Sequence, residues 1–380
     1  MKIIFTGGGT GGHFTPIVAV AEQVNKIIDA ENIVGVELYY ASDNPYDREV
    51  LFEHGLKFME INTGKIRTYF SFKNFIDVFK IAFGTFKAII KVFSIYPDVV
   101  FSKGAYASFP TVFAARLLNI PVVIHESDSS PGKMNLWSGK FAKKIAVSYP
   151  DAAEFFPKDK VAWTGQPVRS EIETPAPKDK SLEYFKLESS LPTLFILGGS
   201  QGAEQINHTI VDALPRLLEK YQIIHQTGVK NFKMVQGRAD VILAENKNKS
   251  RYMPIDYLNA LQMQNAAGAC DLIISRAGST IFEIAAWGIP SIIIPFSPEK
   301  VGSLAIHAKK NAFAYARAGA ASVVEEENLT ANILIAEIER IMRDKETWQY
   351  MAKSAKAFYH PNAAAKIARV IVDIALSHEN

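Results

Sequence analysis

The sequence predicts a doubly wound α/β protein made of two Rossmann-like domains, and three observations carry that reading. Short, continuous apolar runs alternate with longer amphipathic stretches, the pattern of parallel strands covered on both faces. A strand running into a glycine loop occurs twice: Ile3-Ile4-Phe5-Thr6 leads into Gly7-Gly8-Gly9-Thr10-Gly11-Gly12-His13, and Leu194-Phe195-Ile196-Leu197 leads into Gly198-Gly199-Ser200-Gln201-Gly202-Ala203. Between them, residues 173–180 are rich in proline and charge, as a linker is. The halves read as a weak internal repeat, two domains facing each other across a cleft, and 380 residues is a fitting length for two.

The elements follow in order. Strands are expected at 2–6, 36–41, 99–102, 121–125 and 144–147, then at 193–197, 222–226, 272–275 and 291–295. The first glycine loop opens a helix over 17–28, with Pro16 in the first turn, where its missing N–H costs nothing. Ser275-Arg276-Ala277-Gly278-Ser279-Thr280 opens a helix over 281–287, and residues 348–377 are helical with one break at His360-Pro361. The domain boundary falls near 165–192.

Composition narrows the function classes. Lys+Arg number 42 and Asp+Glu 39, too even a balance for the basic stripe of a nucleic-acid binder. Cys270 is the single cysteine, which excludes an internal disulfide framework and a Cys-rich metal site. No apolar run is long enough to span a membrane, and the N-terminus does not read as a secretory leader. The expectation is a soluble or surface-bound cytoplasmic protein.

The glycine loops suit an anion, because glycines let the backbone approach a ligand and a helix start offers free N–H groups. Gly7, Gly9 and Gly12 also fit a dinucleotide fingerprint, with Asp43 as its acid, and a turn that merely packs helix on strand would look similar. His13, at the helix start, is disfavoured as a cation by the dipole, and a neutral imidazole can take a proton from a hydroxyl. The alternative is a histidine that braces the loop. Glu283, one turn into its helix, can accept from ribose hydroxyls or serve as an ordinary first-turn acid. No Asp-x-Asp pair offers a handle for a nucleotide-bound metal, so helix dipoles with Arg169 or Arg276 would stabilise a departing diphosphate. No metal or other cofactor is expected.

Taken together, these motifs resemble the MurG family over essentially the whole chain. The anchors are Gly8-Gly9-Thr10-Gly11-Gly12-His13, Gly104-Ala105-Tyr106, His125-Glu126-Ser127-Asp128, Gly165-Gln166-Pro167-Val168-Arg169, Gly198-Gly199-Ser200-Gln201-Gly202-Ala203, His225-Gln226-Thr227-Gly228, Ser275-Arg276-Ala277-Gly278 and Glu283-Ile284-Ala285-Ala286. The resemblance implies a GT-B fold: an acceptor- and membrane-side domain over 1–164, a UDP-sugar domain over 165–355, and a final helix, about 356–380, packing back on the first domain. It implies inverting transfer of N-acetylglucosamine from UDP-GlcNAc to the undecaprenyl-diphosphate-linked muramyl-pentapeptide, without a catalytic metal, at the cytoplasmic face of the cell membrane. Carried over by motif, the donor contacts are Thr10, Gly11, Gly12, Asp128, Arg169, Ser200, Ile255 (on uracil through its backbone), Ser279, Thr280, Ile281, Phe282 and Glu283. The acceptor side is built around His13, Tyr106, His125 and Glu126, with Glu126 the rival to His13 as base. The chain departs from the family at Gln166, usually Asn, at Ser127-Asp128, and in a shorter 278–283 loop. Ala308 stands where the family has a sugar-binding glutamine, three residues before Asn311.

Residues 63–96 hold seven of the 24 phenylalanines, six basic residues and one acid. Phe75, Phe79, Phe83, Phe86, Ile90 and Phe93 fall in one helical stripe, with Lys73, Lys80, Lys87 and Lys91 expected opposite. Packing on a sheet would produce such a stripe. The flanking Ile66, Arg67, Tyr69, Phe70, Phe72 and Lys73 mix aromatics with cations, a composition suited to an anionic membrane surface.

Overall fold

The computed structural model describes residues 1–8, 11–61, 72–198, 203–297 and 303–379. The chain divides into two compact units, Met1–Arg169 with Pro361–Asn380, and Ser170–His360. Residues 165–169, which the sequence reading gives to the second domain, lie in the first unit.

The first unit holds a seven-stranded sheet of order β3-β2-β1-β4-β5-β6-β7. Its strands are β1 (Lys2–Thr6), β2 (Glu37–Ser42), β3 (Leu56–Glu60), β4 (Val99–Ser102), β5 (Val122–Glu126), β6 (Lys144–Val147) and β7 (Val161–Trp163). The second unit holds six strands in the order β10-β9-β8-β11-β12-β13: β8 (Thr193–Leu197), β9 (Gln222–Gln226), β10 (Tyr252–Ile255), β11 (Leu272–Arg276), β12 (Ser291–Ile294) and β13 (Ala321–Val323). Every pairing is parallel. The repeat read in the sequence is therefore a repeat of topology: β1 lies between β2 and β4 as β8 lies between β9 and β11. All nine expected strands form, with ends shifted by at most one residue. The four that were missed, β3, β7, β10 and β13, are the four sheet edges. There, half-exposed residues replace the continuous apolar run.

The first helix, Gly11–Ala30, starts six residues before its expected beginning, so Pro16 sits in its second turn. Position 16 has no N–H to give the Gly12 carbonyl. The helix still forms because Phe14, Ile17, Val18, Val20, Ala21 and Val24 bury one face against the sheet. The terminal helix, Ala363–Glu379, packs Ile367, Ile371 and Ala375 into that same core, after a break at residues 359–362.

The helix Phe72–Ile95 is turned inside out relative to a simple packing helix. Gly84, Ala88 and Val92 face inward, and the last two meet Val112, Ala114 and Ala115 of the neighbouring helix, Phe109–Leu117. Phe83 (65 % exposed), Phe86 (61 %), Ile90 (52 %) and Phe93 (64 %) point outward. Small residues allow the two helices to approach closely, which leaves the bulky rings on the far side. Lys87 does not lie opposite the stripe: its ammonium sits 6.0 Å from the Phe83 ring.

Candidate active site

In a doubly wound sheet, ligands bind beyond the carboxyl ends of the strands where the strand order reverses. In the first unit that point lies between β1 and β4. The loops that flank it carry His13 after β1 and Lys103-Gly104-Ala105-Tyr106 after β4, with Glu126-Ser127-Asp128 ending and following the next strand, β5.

Close packing fixes these loops. A Cβ on Gly7 would fall 2.8 Å from Ile17 Cδ1 and 3.1 Å from Lys103 Cβ, and one on Gly104 would fall 2.7 Å from Asn135 Oδ1. Gly104 takes φ +81°, as glycine readily does, but Ala105 follows at φ 63°, ψ 167°. That region is almost reserved for glycine and costs a residue with a Cβ about 1–3 kcal/mol. The strained turn presents Tyr106, whose hydroxyl is raised in pKa by partial burial and by Asp43, to which it hydrogen-bonds.

The His13 imidazole is pushed down to about 4, first by burial and then by the charge of Lys103, with Asp128 acting in the opposite sense. The neutrality expected from the helix dipole thus has burial and a neighbouring cation as its main causes. Its Nδ1 is enclosed and has no hydrogen-bond partner among the described residues.

Glu126 is 4 % exposed and fully engaged. Its carboxylate accepts from the backbone N–H of Asp128 (2.8 Å) and Gly132 (3.0 Å) and from Asn135 Nδ2 (2.9 Å). Burial and Asp128 raise its pKa. A carboxylate so occupied clamps the loop after β5 and is poorly placed to collect a proton from a substrate. His125 is fully buried as well, with Nε2 at 3.2 Å from both the Gly165 carbonyl and Ser148 Oγ. It ties the end of β5 to the segments after β6 and β7 and presents no surface to an acceptor. Gln166, where the family usually has asparagine, accepts from Ser127 Oγ (2.8 Å) and Ser148 Oγ (2.7 Å).

Sequence reasoning missed Lys103. It is 2 % exposed, and its ammonium donates to Ser127 Oγ. Burial draws its pKa down to about 8, against the pull of Glu126 and Asp128. The available signal was its position, a lysine directly after the apolar strand Val99-Val100-Phe101-Ser102.

In the second unit, β11 runs into Ala277-Gly278-Ser279 and the helix Thr280–Trp287. Ile281 and Phe282 are buried, whereas Ser279, Thr280 and Glu283 are half-exposed at the helix start. Among the described residues, nothing lies within 4 Å of where a Cβ on Gly278 would be. The Ile255 carbonyl, at the end of β10, accepts from Thr227 N (2.9 Å) and Thr227 Oγ1 (3.2 Å).

Arg276 is not placed to meet a diphosphate. Its guanidinium donates to Glu326 Oε1 (2.6 Å) and to the Ile294 carbonyl (3.3 Å), over the Phe296 ring at 4.4 Å, while the other Glu326 oxygen accepts from Ser297 N (2.8 Å). This buried pair pins the turn after β12. Ala308 faces the core with Ala312 and Tyr315, on one side of the helix Ser303–Arg317, and Asn311 is buried beside them. Arg169 is half-exposed at the end of the first unit. Thr10, Ser200, Ile66, Arg67, Tyr69 and Phe70 lie outside the described residues, as do the side chains of Phe72, Lys73, Phe75, Phe79 and Lys80.

Beside the exposed aromatic stripe, a surface groove of about 350 Å³ is lined by Phe58, Met59, Ile90 and Ile95, with Lys57 and Lys91 on it. Among the described residues, no helix is long and apolar enough to cross a membrane.

Two Rossmann-like sheets, each with a helix start at the carboxyl edge of a central strand, make up the GT-B fold. The chain belongs to glycosyltransferase family 28: residues 3–147 match its N-terminal domain and residues 193–368 its C-terminal domain. That membership sets aside the dinucleotide reading of the first glycine loop.

Relatives extend over nearly the full length. The UDP-N-acetylglucosamine–N-acetylmuramyl-(pentapeptide) pyrophosphoryl-undecaprenol N-acetylglucosamine transferase 2 of Bacillus anthracis is 36% identical over 353 residues, 93% of this chain and 94% of that one. The transferase of the same name from Treponema denticola is 35% identical, over 98% of this chain and 96% of its own. Among solved structures, MurG of Acinetobacter baumannii superposes with a TM-score of 0.73 at 25% identity, covering 98% of this chain and 99% of that one. The UDP complex of S. aureus MnaA, at 16% identity and a TM-score of 0.67 over 100% of this chain and 98% of its own, shares the fold.

Proposed function

We propose that the protein transfers N-acetylglucosamine from UDP-GlcNAc to undecaprenyl-diphosphate-linked N-acetylmuramyl-pentapeptide, turning lipid I into lipid II. The observation that carries this reading is the similarity to transferases named for that reaction, 36% identity across 93% of the chain. In the reaction, the muramyl 4-hydroxyl oxygen attacks the anomeric carbon of the sugar. The bond from that carbon to the diphosphate breaks, and its electron pair leaves with UDP. The hydroxyl proton goes to His13, which burial and Lys103 keep neutral and so able to accept it. Thr10, Gly11, Gly12 and Asp128 are donor contacts in this reading, and Tyr106 lines the acceptor side. Glu126 and His125 support it from behind. In the second unit the amides of Ser279 and Thr280 meet the diphosphate at a helix start, with Ile281 and Phe282, whose N–H groups donate to the Gly278 and Ser279 carbonyls, holding that turn behind them; Glu283 takes the ribose hydroxyls, and Ile255 meets uracil. Arg169 and Ser200 complete the diphosphate and sugar contacts.

A lipid-linked acceptor requires the enzyme to work at a membrane surface. The exposed Phe83, Phe86, Ile90 and Phe93, with Lys87 alongside, support peripheral binding to an anionic membrane surface; the cytoplasmic face follows from the transfer reading alone. The test is radiolabelled UDP-GlcNAc with the lipid-linked acceptor in anionic vesicles. Labelled lipid product is expected; UDP binding without product would refute the transfer. Replacing Phe83, Phe86 and Phe93 together by Ser should abolish co-sedimentation with those vesicles and leave UDP affinity intact. Undiminished co-sedimentation would remove this face from the reading.

A further inference from the structure

The buried cation behind the first glycine loop acts on His13 through its charge, and its surroundings assign it a larger part. Lys103 leaves the carboxyl end of β4, directly beside the end of β1. Its side chain is enclosed, with its Cβ within 3.1 Å of the position a Cβ on Gly7 would take. The ammonium donates to Ser127, and Ser127 donates to Gln166, so the loops after β4 and β5 and the segment after β7 are joined through two successive hydrogen bonds. The ionisable groups around it come from different elements: Glu126 ends β5, Asp128 follows it, and His13, on the first helix, hydrogen-bonds the Lys103 backbone, its Cβ 3.7 Å from the position a Cβ on Gly7 would take. Glu126 is already saturated by three donors. A lysine kept only for stability would be better replaced by an apolar side chain of the same length, because a buried charge is costly unless well paired.

We propose that Lys103 is a positioning residue for the candidate base: its ammonium locks the loop after β5 through Ser127 and Gln166 and faces the His13 imidazole, so that His13 meets the acceptor hydroxyl as a neutral proton acceptor. The inference rests on the transfer reading for its purpose, but the coupling between the two side chains is measurable without any substrate.

The test is an NMR titration of the intact protein labelled with ¹³C-histidine, with the His13 signal assigned from its loss in His13→Gln. Wild type, Lys103→Met, Lys103→Gln and Lys103→Arg are compared. The wild-type imidazole is expected to titrate near 4. In the Met and Gln variants the midpoint should rise by about one pH unit, since a like charge at close range has been removed, and Arg should restore it. The acid limb of the kcat profile should move in parallel, with UDP affinity the same in all four. Two neutral variants are included so that one that fails to fold does not decide the matter. An unmoved His13 midpoint in a folded neutral variant overturns the inference. If wild type transfers no sugar yet its imidazole responds to Lys103, the transfer reading falls and the coupling stands.

Discussion

At the carboxyl edge of the first sheet, buried ionisable groups crowd together with their protonation displaced: His13 and Lys103 pushed down, Glu126 pushed up. At the same edge of the second sheet, the buried charge Arg276 is matched to Glu326 at 2.6 Å and backed by backbone carbonyls, the displaced imidazole of His225 is tied on both nitrogens, to Tyr252 and Asn207, and the open feature is the start of the helix Thr280–Trp287. One strand pattern has been put to two uses. Displaced pKa values belong where a proton must be moved. A paired charge and an open helix start belong where an anion must be held. The difference teaches that, in a repeated fold, the division of labour lies in which buried groups are left electrostatically unbalanced.

The largest effect that can break this comparison is on turnover. His13→Ala should lower kcat by about 10²–10⁴-fold, the usual contribution of a positioned base. Glu126→Gln should instead lose melting temperature along with activity, because an amide cannot accept all three of the donors that hold it. Activity that survives His13→Ala, with Glu126→Gln inactive but fully stable, would exchange the two roles.

Acid sharpens the contrast. Burial holds His13 at about 4 and His125 well below 6.5 in the first unit, and His225 at about 3 in the second. In each case the unfolded state binds the proton first. Their contribution to stability is therefore complete above pH 6.5 and is lost as the pH falls through the window between 6.5 and the folded values. His13 alone accounts for on the order of 3 kcal/mol by the bottom of that window. Thermal melts from pH 7 to 4 should show a steep decline, made shallower by His13→Gln; equal slopes would mean that the imidazole is not held neutral.

On the second unit, Glu283→Ala should weaken UDP binding by about 1.5–3 kcal/mol, the worth of charge-assisted hydrogen bonds, while kcat at saturating donor stays within a few-fold. The smallest effect is conformational. Ala105→Gly relieves a strained backbone, offset in part by the freedom it adds to the unfolded chain. A net gain of about 1 kcal/mol in denaturant unfolding is expected; a loss would show that the Ala105 methyl against Gly8 matters more than the strain.

Much of this was legible in the sequence, and the misses have physical causes. Central strands announce themselves because both faces are buried, as in Thr193–Leu197 and Val99–Ser102. Leu56–Glu60 and Val161–Trp163 did not, since an edge strand needs only partial burial. The motifs located the loops correctly but not the direction of their side chains. His125 and Glu126 are neighbours in a functional-looking run, yet both turn inward to hold the loop. Arg276 reads as a phosphate ligand until Glu326, 50 residues on, is found against it. Ala308 looked like a lost sugar contact, whereas it packs in the core. Lys103 was overlooked because a lysine is expected on a surface. The aromatic stripe was readable as a stripe, but only the neighbouring helix, with its Ala114 and Ala115, decides that the small residues go inward.

The central claim is that the first unit supplies the proton chemistry and the second holds the nucleotide. The most direct test is calorimetric titration of UDP into wild type, His13→Ala and Glu283→Ala side by side. The account predicts wild-type affinity in His13→Ala, despite its loss of turnover, and an affinity about 10–100-fold weaker in Glu283→Ala. Weakened binding in His13→Ala, with Glu283→Ala unchanged, would contradict it.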